Sequence, residues 1–229
     1  MLKGGRVYHK QLLIGSLGLV VILGACKSRD EEVHADHPLF TVLDNKSTGI
    51  DFRNDLSYSN AFNLFKYIYF YNGSGVGTGD FNNDGKPDLF FGSNQGRNHL
   101  YLNQGKMKFT DVTNEAHIPD DGGWTTGISV VDINNDGLLD IYVCRVGNFE
   151  TLHSKNLLLI NKGIKNGVPS FDDEAPAYGL DFSGFSTQAV FFDYDLDGDL
   201  DMFLLNHSVH QNGTFKPRSE FLDTYHPLS

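Results

Sequence analysis

The chain has 229 residues, with 29 acids against 18 bases and a formal net charge of -11 at pH 7. Asp outnumbers Glu by 23 to 6 and there are 25 Gly, a skew toward turn formers that excludes a mainly helical protein. A hydrophobic fraction of 40% excludes wholesale disorder, and the acidity leaves no basic face for nucleic acid.

The N-terminus has its own pattern. Lys3, Arg6 and Lys10 are followed by an uncharged, largely apolar run from Leu12 to Gly24 and then by Leu23-Gly24-Ala25-Cys26. Thirteen residues at 1.5 Å each span roughly 20 Å, short of the ~30 Å hydrocarbon core. Residues 1–25 therefore read as an export signal and not a membrane span. The small residues before Cys26 resemble a bacterial lipobox, which implies that Cys26 is lipidated and becomes the new N-terminus; an ordinary secretory signal with an incidental Cys is the alternative. Residues 26–38 are polar and read as the lipidated Cys and a flexible tether. Their acidic stretch Asp30-Glu-Glu32 resembles export tags of surface lipoproteins, which implies an outer-membrane anchor with surface exposure. Removal of residues 1–25 leaves 15 bases against 29 acids. Cys144 then has no partner in the chain and, in the apolar run Ile141-Tyr-Val-Cys144, reads as a buried structural thiol.

Residues 39–229 read as one repeat domain. Its first segments, Phe40-Thr-Val-Leu-Asp44 and Thr48-Gly-Ile50-Asp-Phe52, mirror later outer-strand segments and predict an orphan outer strand. Three nine-residue loops follow: Asp80-Phe-Asn82-Asn-Asp84-Gly85-Lys86-Pro-Asp88, Asp132-Ile-Asn134-Asn-Asp136-Gly137-Leu138-Leu-Asp140 and Asp193-Tyr-Asp195-Leu-Asp197-Gly198-Asp199-Leu-Asp201. They start 52 and 61 residues apart, with oxygen side chains at positions 1, 3, 5 and 9 and Gly at position 6. Three monodentate side chains, the carbonyl at position 7 (Lys86, Leu138, Asp199) and the carboxylate at position 9 supply six ligands of the kind Ca2+ takes. No His or Cys interrupts the set, which disfavours zinc and copper. An EF-hand would need an acid at position 12, where Phe91, Val143 and Leu204 stand. The expectation is about three structural Ca2+ ions, with every ligand supplied by its own loop.

Each loop lies between apolar strand patterns. Gly75–Gly79, Gly127–Val131 and Gln188–Phe192 read as inner strands, and Leu89–Phe91, Ile141–Val143 and Met202–Leu205 as second strands. His99–Asn103 and Asn156–Asn161 read as third strands, Phe109–Asp111 and Phe171–Asp173 as fourth. Four short strands per repeat of 50 to 60 residues predict an all-β fold, a partial β-propeller of four-stranded blades, each with a calcium-binding loop closing its first hairpin.

The loops with Phe91-Gly92 resemble FG-GAP or VCBS repeats of integrin-alpha-type propellers. Gly75-Val-Gly-Thr-Gly-Asp80, Leu100-Tyr-Leu-Asn103, Phe109-Thr-Asp-Val-Thr113 and Asp140-Ile-Tyr-Val-Cys144 are similar to the bacterial ASPIC/UnbV, cartilage-acidic-protein-like group. The Phe-Gly pair is missing from the second and third repeats, as is the ASPIC/UnbV region itself. Under four blades fit in the chain, and after Asn206-His-Ser-Val-His210 no third strand is recognisable, so the ring is expected to be incomplete and the sequence an N-terminal fragment that aggregates when expressed alone.

The function expected from this reading is a calcium-binding cell-envelope lipoprotein whose propeller is an adhesion module for an extracellular glycan or protein. The alternatives are a propeller-type polysaccharide lyase, with His207, His210, Arg145 or Arg218 as base or charge neutraliser, and a structural part of an outer-membrane uptake complex. Tyr67, Tyr69, Tyr71 and Trp124 are candidates for stacking on sugar rings, with the core as the plainer place for Trp124.

Overall fold

The computed structural model describes residues 39–207. Cys26, the export signal 1–25, the tether 26–38, His210 and Arg218 lie outside the described residues. The first sheet pairs β1 (Val76–Gly79), β2 (Asp88–Phe91), β3 (His99–Asn103) and β4 (Phe109–Asp111) in that order. The second pairs β5 (Trp124–Val131), β6 (Asp140–Val146), β7 (Leu157–Lys165) and β8 (Val168–Asp173), and the third joins β9 (Ser186–Phe192) to β10 (Asp201–Asn206). All pairings are antiparallel. The expected loop closes the first hairpin of each sheet, with Gly79 opposite Asp88, Val131 opposite Asp140 and Phe192 opposite Asp201. The fold is thus all-β, two four-stranded propeller blades and the first hairpin of a third.

The expected outer strand at Phe40–Asp44 does not form among the described residues. Asp44 instead caps the short helix α1 (Asn45–Thr48), its Oδ1 accepting the Ser47 N–H at 2.7 Å, a local bond that competes with strand pairing. The predicted likeness of the two segments survives in another form. Helix α1 ends on Gly49 and helix α2 (Ala175–Tyr178) on Gly179, both left-handed.

Strand β6 shows why the sheets stack. All seven of its residues are buried, and its period-2 alternation divides Ile141, Tyr142, Val143 and Cys144 between two cores. Ile141 and Val143 join Phe81, Phe90, Leu100 and Phe171, between the first and second sheets. Tyr142 and Cys144 join Leu158, Ile160 and Ala189, between the second and third. Each large apolar side chain buried in this way is worth about 1.5–3 kcal/mol. Cys144 is the buried structural thiol expected, with its ionisation pushed up to about 12 by burial.

The inner strands approach closely, and glycine makes room. A Cβ on Gly75 would lie 2.7 Å from the Ile128 nitrogen, and one on Gly127 2.2 Å from the Thr187 carbonyl oxygen. A third cluster, of Phe62, Tyr67, Phe70, Trp124 and Val146, joins the segment before β1 to the start of β5. On the third sheet Val190, Phe192, Phe203 and Leu205 remain exposed.

Candidate functional site

The three loops fold alike because the same atoms hold them. The carboxylate at position 1 accepts the backbone N–H groups of positions 5 and 6. For Asp80 these are Asp84 at 2.9 Å and Gly85 at 2.7 Å; for Asp132, Asp136 at 3.1 Å and Gly137 at 2.9 Å; for Asp193, Asp197 at 3.2 Å and Gly198 at 3.1 Å. Position 5 accepts the N–H of position 7: Lys86 on Asp84 at 3.0 Å, Leu138 on Asp136 at 2.8 Å and Asp199 on Asp197 at 3.1 Å. Position 6 is left-handed at Gly85 (φ 82), Gly137 (φ 84) and Gly198 (φ 97), and so is position 4, at Asn83, Asn135 and Leu196. Glycine takes the position-6 backbone without steric cost.

Position 9 has a second task. Asp88 is fully buried, Oδ2 accepting the Phe81 N–H at 3.0 Å and Oδ1 the Asn103 N–H at 2.8 Å. Asp140 repeats this with Ile133 at 3.0 Å and Asn161 at 2.8 Å. Burial raises both carboxyls above the usual range, and these backbone bonds pull them partly back. Each oxygen keeps one lone pair beyond its backbone bond. Asp201 accepts the Tyr194 N–H at 2.9 Å but is exposed, since no third strand lies beside β10 among the described residues.

Position 3 differs from loop to loop. Asn82 Oδ1 is buried without a hydrogen-bond partner, although the same amide donates to the Gly167 carbonyl at 3.0 Å. Asn134 Oδ1 accepts the Asp136 N–H at 3.2 Å. In the third loop one carboxylate oxygen each from Asp193, Asp195 and Asp197 lies within 4.8 Å of the others. Asp197 hydrogen-bonds and repels the Asp199 carboxyl, which is raised. In the first loop Lys86 Nζ lies 2.7 Å from Asp84 Oδ2, a bond that lowers the Asp84 carboxyl. Oxygen-only donors, an orphaned amide oxygen and crowded carboxylates fit a hard divalent cation.

Residues 80–143 match the FG-GAP-like repeat family. This FG-GAP-like stretch runs from the first loop into β6 and so contains two of the three loops. Cartilage acidic protein 1 of Mus musculus and of Homo sapiens are each 29% identical over 152 residues, 65% of this chain and 22% of the relative. That of Xenopus tropicalis is 29% identical over 134 residues, 58% of this chain and 20% of the relative. The chain thus spans about a fifth of the length of the curated relatives it matches.

Away from the loops, Tyr67, Tyr69, Trp124, Thr126, Thr187 and His207 line a cavity of about 220 Å³. Trp124 is 1% exposed and belongs to the core, as the plainer expectation had it. Tyr67 is buried and Tyr71 is 61% exposed. Of the lyase candidates, Arg145 is buried and bound through both terminal nitrogens to Asp121, at 2.6 and 2.7 Å, so its charge is already matched. His207 Nε2 lies 3.1 Å from the Tyr67 hydroxyl. Sequence reasoning missed Thr126 and Thr187, and it missed the backbone N–H groups of Asn103 and Asn161. The recurrent Asn ending each third strand was the available signal for the last two.

Proposed function

We propose that each loop holds one Ca2+ ion, through Asp80, Asn82, Asp84, the Lys86 carbonyl and Asp88; Asp132, Asn134, Asp136, the Leu138 carbonyl and Asp140; and Asp193, Asp195, Asp197, the Asp199 carbonyl and Asp201. The ions are structural and neutralise carboxylates that otherwise repel one another. The protein is a cell-envelope lipoprotein with export signal 1–25, lipidated Cys26 and tether 26–38, anchored in the bacterial outer membrane with its 39–229 propeller outward. That propeller is a binding module for an extracellular glycan or protein. The observation that supports the metal reading is the unpartnered Asn82 Oδ1 in a loop whose remaining oxygens are held by the same bonds as its two repeats.

A ligand that binds only the folded state stabilises it in proportion to the logarithm of its excess over Kd. Thermal unfolding of the full chain in Ca2+ and in excess chelator tests the ions: the melting temperature falls in chelator and returns with Ca2+ but not with Mg2+, and superimposable curves would sink the reading. A glycan array probed in both conditions tests the binding module.

A further inference from the structure

The first two loops are joined by hydrogen bonds that run from one blade to the next. Asn161, on β7, is buried, and its N–H goes to Asp140 Oδ1 at position 9 of the second loop. Its amide nitrogen donates to the Phe81 carbonyl at 3.0 Å, at position 2 of the first loop. The same nitrogen makes a longer contact of 3.5 Å with the Leu139 carbonyl, at position 8 of the second. Asn103, the matching residue of the first sheet, gives its amide to the Pro87 carbonyl of its own loop. A second bridge lies beside this one: Asn83 Nδ2, at position 4 of the first loop, donates to the Gly137 carbonyl at 3.2 Å. A third runs from Asn82 Nδ2 to the Gly167 carbonyl at 3.0 Å, in the turn between β7 and β8. Among the described residues no such bond reaches the third loop, whose hydrogen bonds stay within it.

The bridges fall on the backbone that carries the proposed ligands. Phe81 lies between Asp80 and Asn82, and Asn83 between Asn82 and Asp84. On the other side, Gly137 and Leu139 flank Leu138, whose carbonyl is the backbone ligand of the second loop. An ion that fixes Asp80, Asn82 and Asp84 fixes the Phe81 carbonyl and the Asn83 backbone with them. The Asn161 amide and the Gly137 carbonyl then have set partners, so the peptide around Leu138 is held from both sides. Ordering completed by one ligand is not repeated for the next, which is positive coupling without contact between the two ions. Packing acts in the same direction. Leu139 lies against the core that contains Phe81, and a Cβ on Gly79 would come 2.7 Å from Leu139 Cδ1.

We propose that the first and second loops are one coupled pair of ion sites, with Asn83 and Asn161 as positioning residues that make the Ca2+ affinity of each loop depend on occupancy of the other. The third loop binds independently. The proposal rests on the reading of the loops as Ca2+ sites and adds a linkage between two of them.

The position-6 amides report the loops separately, because the Gly85, Gly137 and Gly198 N–H groups donate to the position-1 carboxylates. The full chain, isotopically labelled at glycine, is titrated with CaCl2 while these three amide resonances are followed by NMR. Gly85 and Gly137 should shift together, more steeply than independent sites allow, with Gly198 on its own curve. Asn83→Gly changes no proposed ligand and suits the left-handed backbone there (φ 52). It should raise the Ca2+ midpoint of Gly137 about fivefold, at the low end of couplings between ligand sites. Gly198 and the melting temperature in chelator should stay put; a purely local role for Asn83 would move Gly85 alone. Asn161→Ala keeps the N–H bond to Asp140 and should weaken Gly137 in the same way. Asp84→Asn should weaken the Gly137 transition, and Asp136→Asn the Gly85 transition, by one common factor, since coupling is reciprocal. A Gly137 curve that Asn83→Gly and Asp84→Asn both leave in place overturns the coupling while the Ca2+ sites stand. Gly198 moving as far as Gly137 would mean general destabilisation and overturns it as well. If no glycine resonance responds to CaCl2, the ion reading itself falls and the coupling with it.

Discussion

The Asn103 backbone N–H donates to Asp88 Oδ1 at 2.8 Å, tying the last residue of the first loop to the third strand of its sheet. The Asn103 amide returns a bond to the Pro87 carbonyl, also at 2.8 Å. The pair therefore links loop and blade through bonds that need no ion. Asp88→Ala leaves the Phe81 and Asn103 N–H groups buried without acceptors, at about 1–3 kcal/mol each, and Asp88→Asn spares one acceptor. Denaturant unfolding should show a loss of about 2–5 kcal/mol for Asp88→Ala and roughly half that for Asp88→Asn, and the loss should persist in chelator. Asp84→Asn removes the negative charge of one of the proposed metal ligands, and its penalty should shrink once Ca2+ is withdrawn. Equal behaviour of the two positions in chelator would contradict this division.

Much of the blade plan was legible because two patterns are written openly in the chain. The apolar run Ile141-Tyr-Val-Cys144, rich in aromatic and β-branched residues, announced a strand, and the structure sends Ile141 and Val143 to one core, Tyr142 and Cys144 to the other. The recurrence of Asp and Gly placed each loop at the first hairpin of its sheet. What stayed hidden depends on distance in sequence. Phe62, Tyr67 and Phe70 carry no strand pattern, yet they close over Trp124 from more than fifty residues away. The outer strand expected at Phe40–Asp44 failed because Asp44 found a nearer acceptor role as a helix cap.

Gly127 marks the closest approach between two blades. A Cβ there would meet both the Gln188 Oε1 and the Thr187 carbonyl oxygen at 2.2 Å. Gln188 can swing aside, but the carbonyl belongs to β9. Gly127→Ala should cost about 1–3 kcal/mol by overpacking, and adding Gln188→Ala should recover only part of it. Full recovery in the double variant, read by thermal melting, would place the strain on the side chain and not on the strand spacing.

Leu196 occupies the left-handed position that Asn83 and Asn135 fill in the other loops, with φ 64. It is 86% exposed, so it gains nothing from packing. A left-handed backbone costs a branched side chain roughly 1–2 kcal/mol, and Asn tolerates it. Leu196→Asn should therefore stabilise the third loop by about 1 kcal/mol and raise its Ca2+ affinity modestly. Calorimetric Ca2+ titration of the variant checks this, and an unchanged or weaker third site would count against it.

Arg145 is buried and its partner is not: the Asp121 side chain is 50% exposed and the Arg145 side chain 2%. Burial raises the Asp121 carboxyl, but hydrogen bonds and charge from Arg145 outweigh it, and the net position is below the usual carboxylate range. His153, Lys155 and Asp173 line the same cleft, so the pair is not alone in the field. Because the folded value is the lower one, the stabilisation is fully present above the unfolded Asp value of about 3.9. It is lost as the pH falls through the folded value. Asp121→Asn should thus cost about 1–2 kcal/mol at pH 7, between an exposed and a buried pair. Its melting curve should converge with that of the unmodified protein as the pH falls through and beyond the lowered folded value, where both carry a neutral side chain. His153→Asn, a control in the same cleft, should leave that acid limb unchanged. A gap between Asp121→Asn and the unmodified protein that stays constant from neutral to acid pH would show that Asp121 acts through packing and not through its charge.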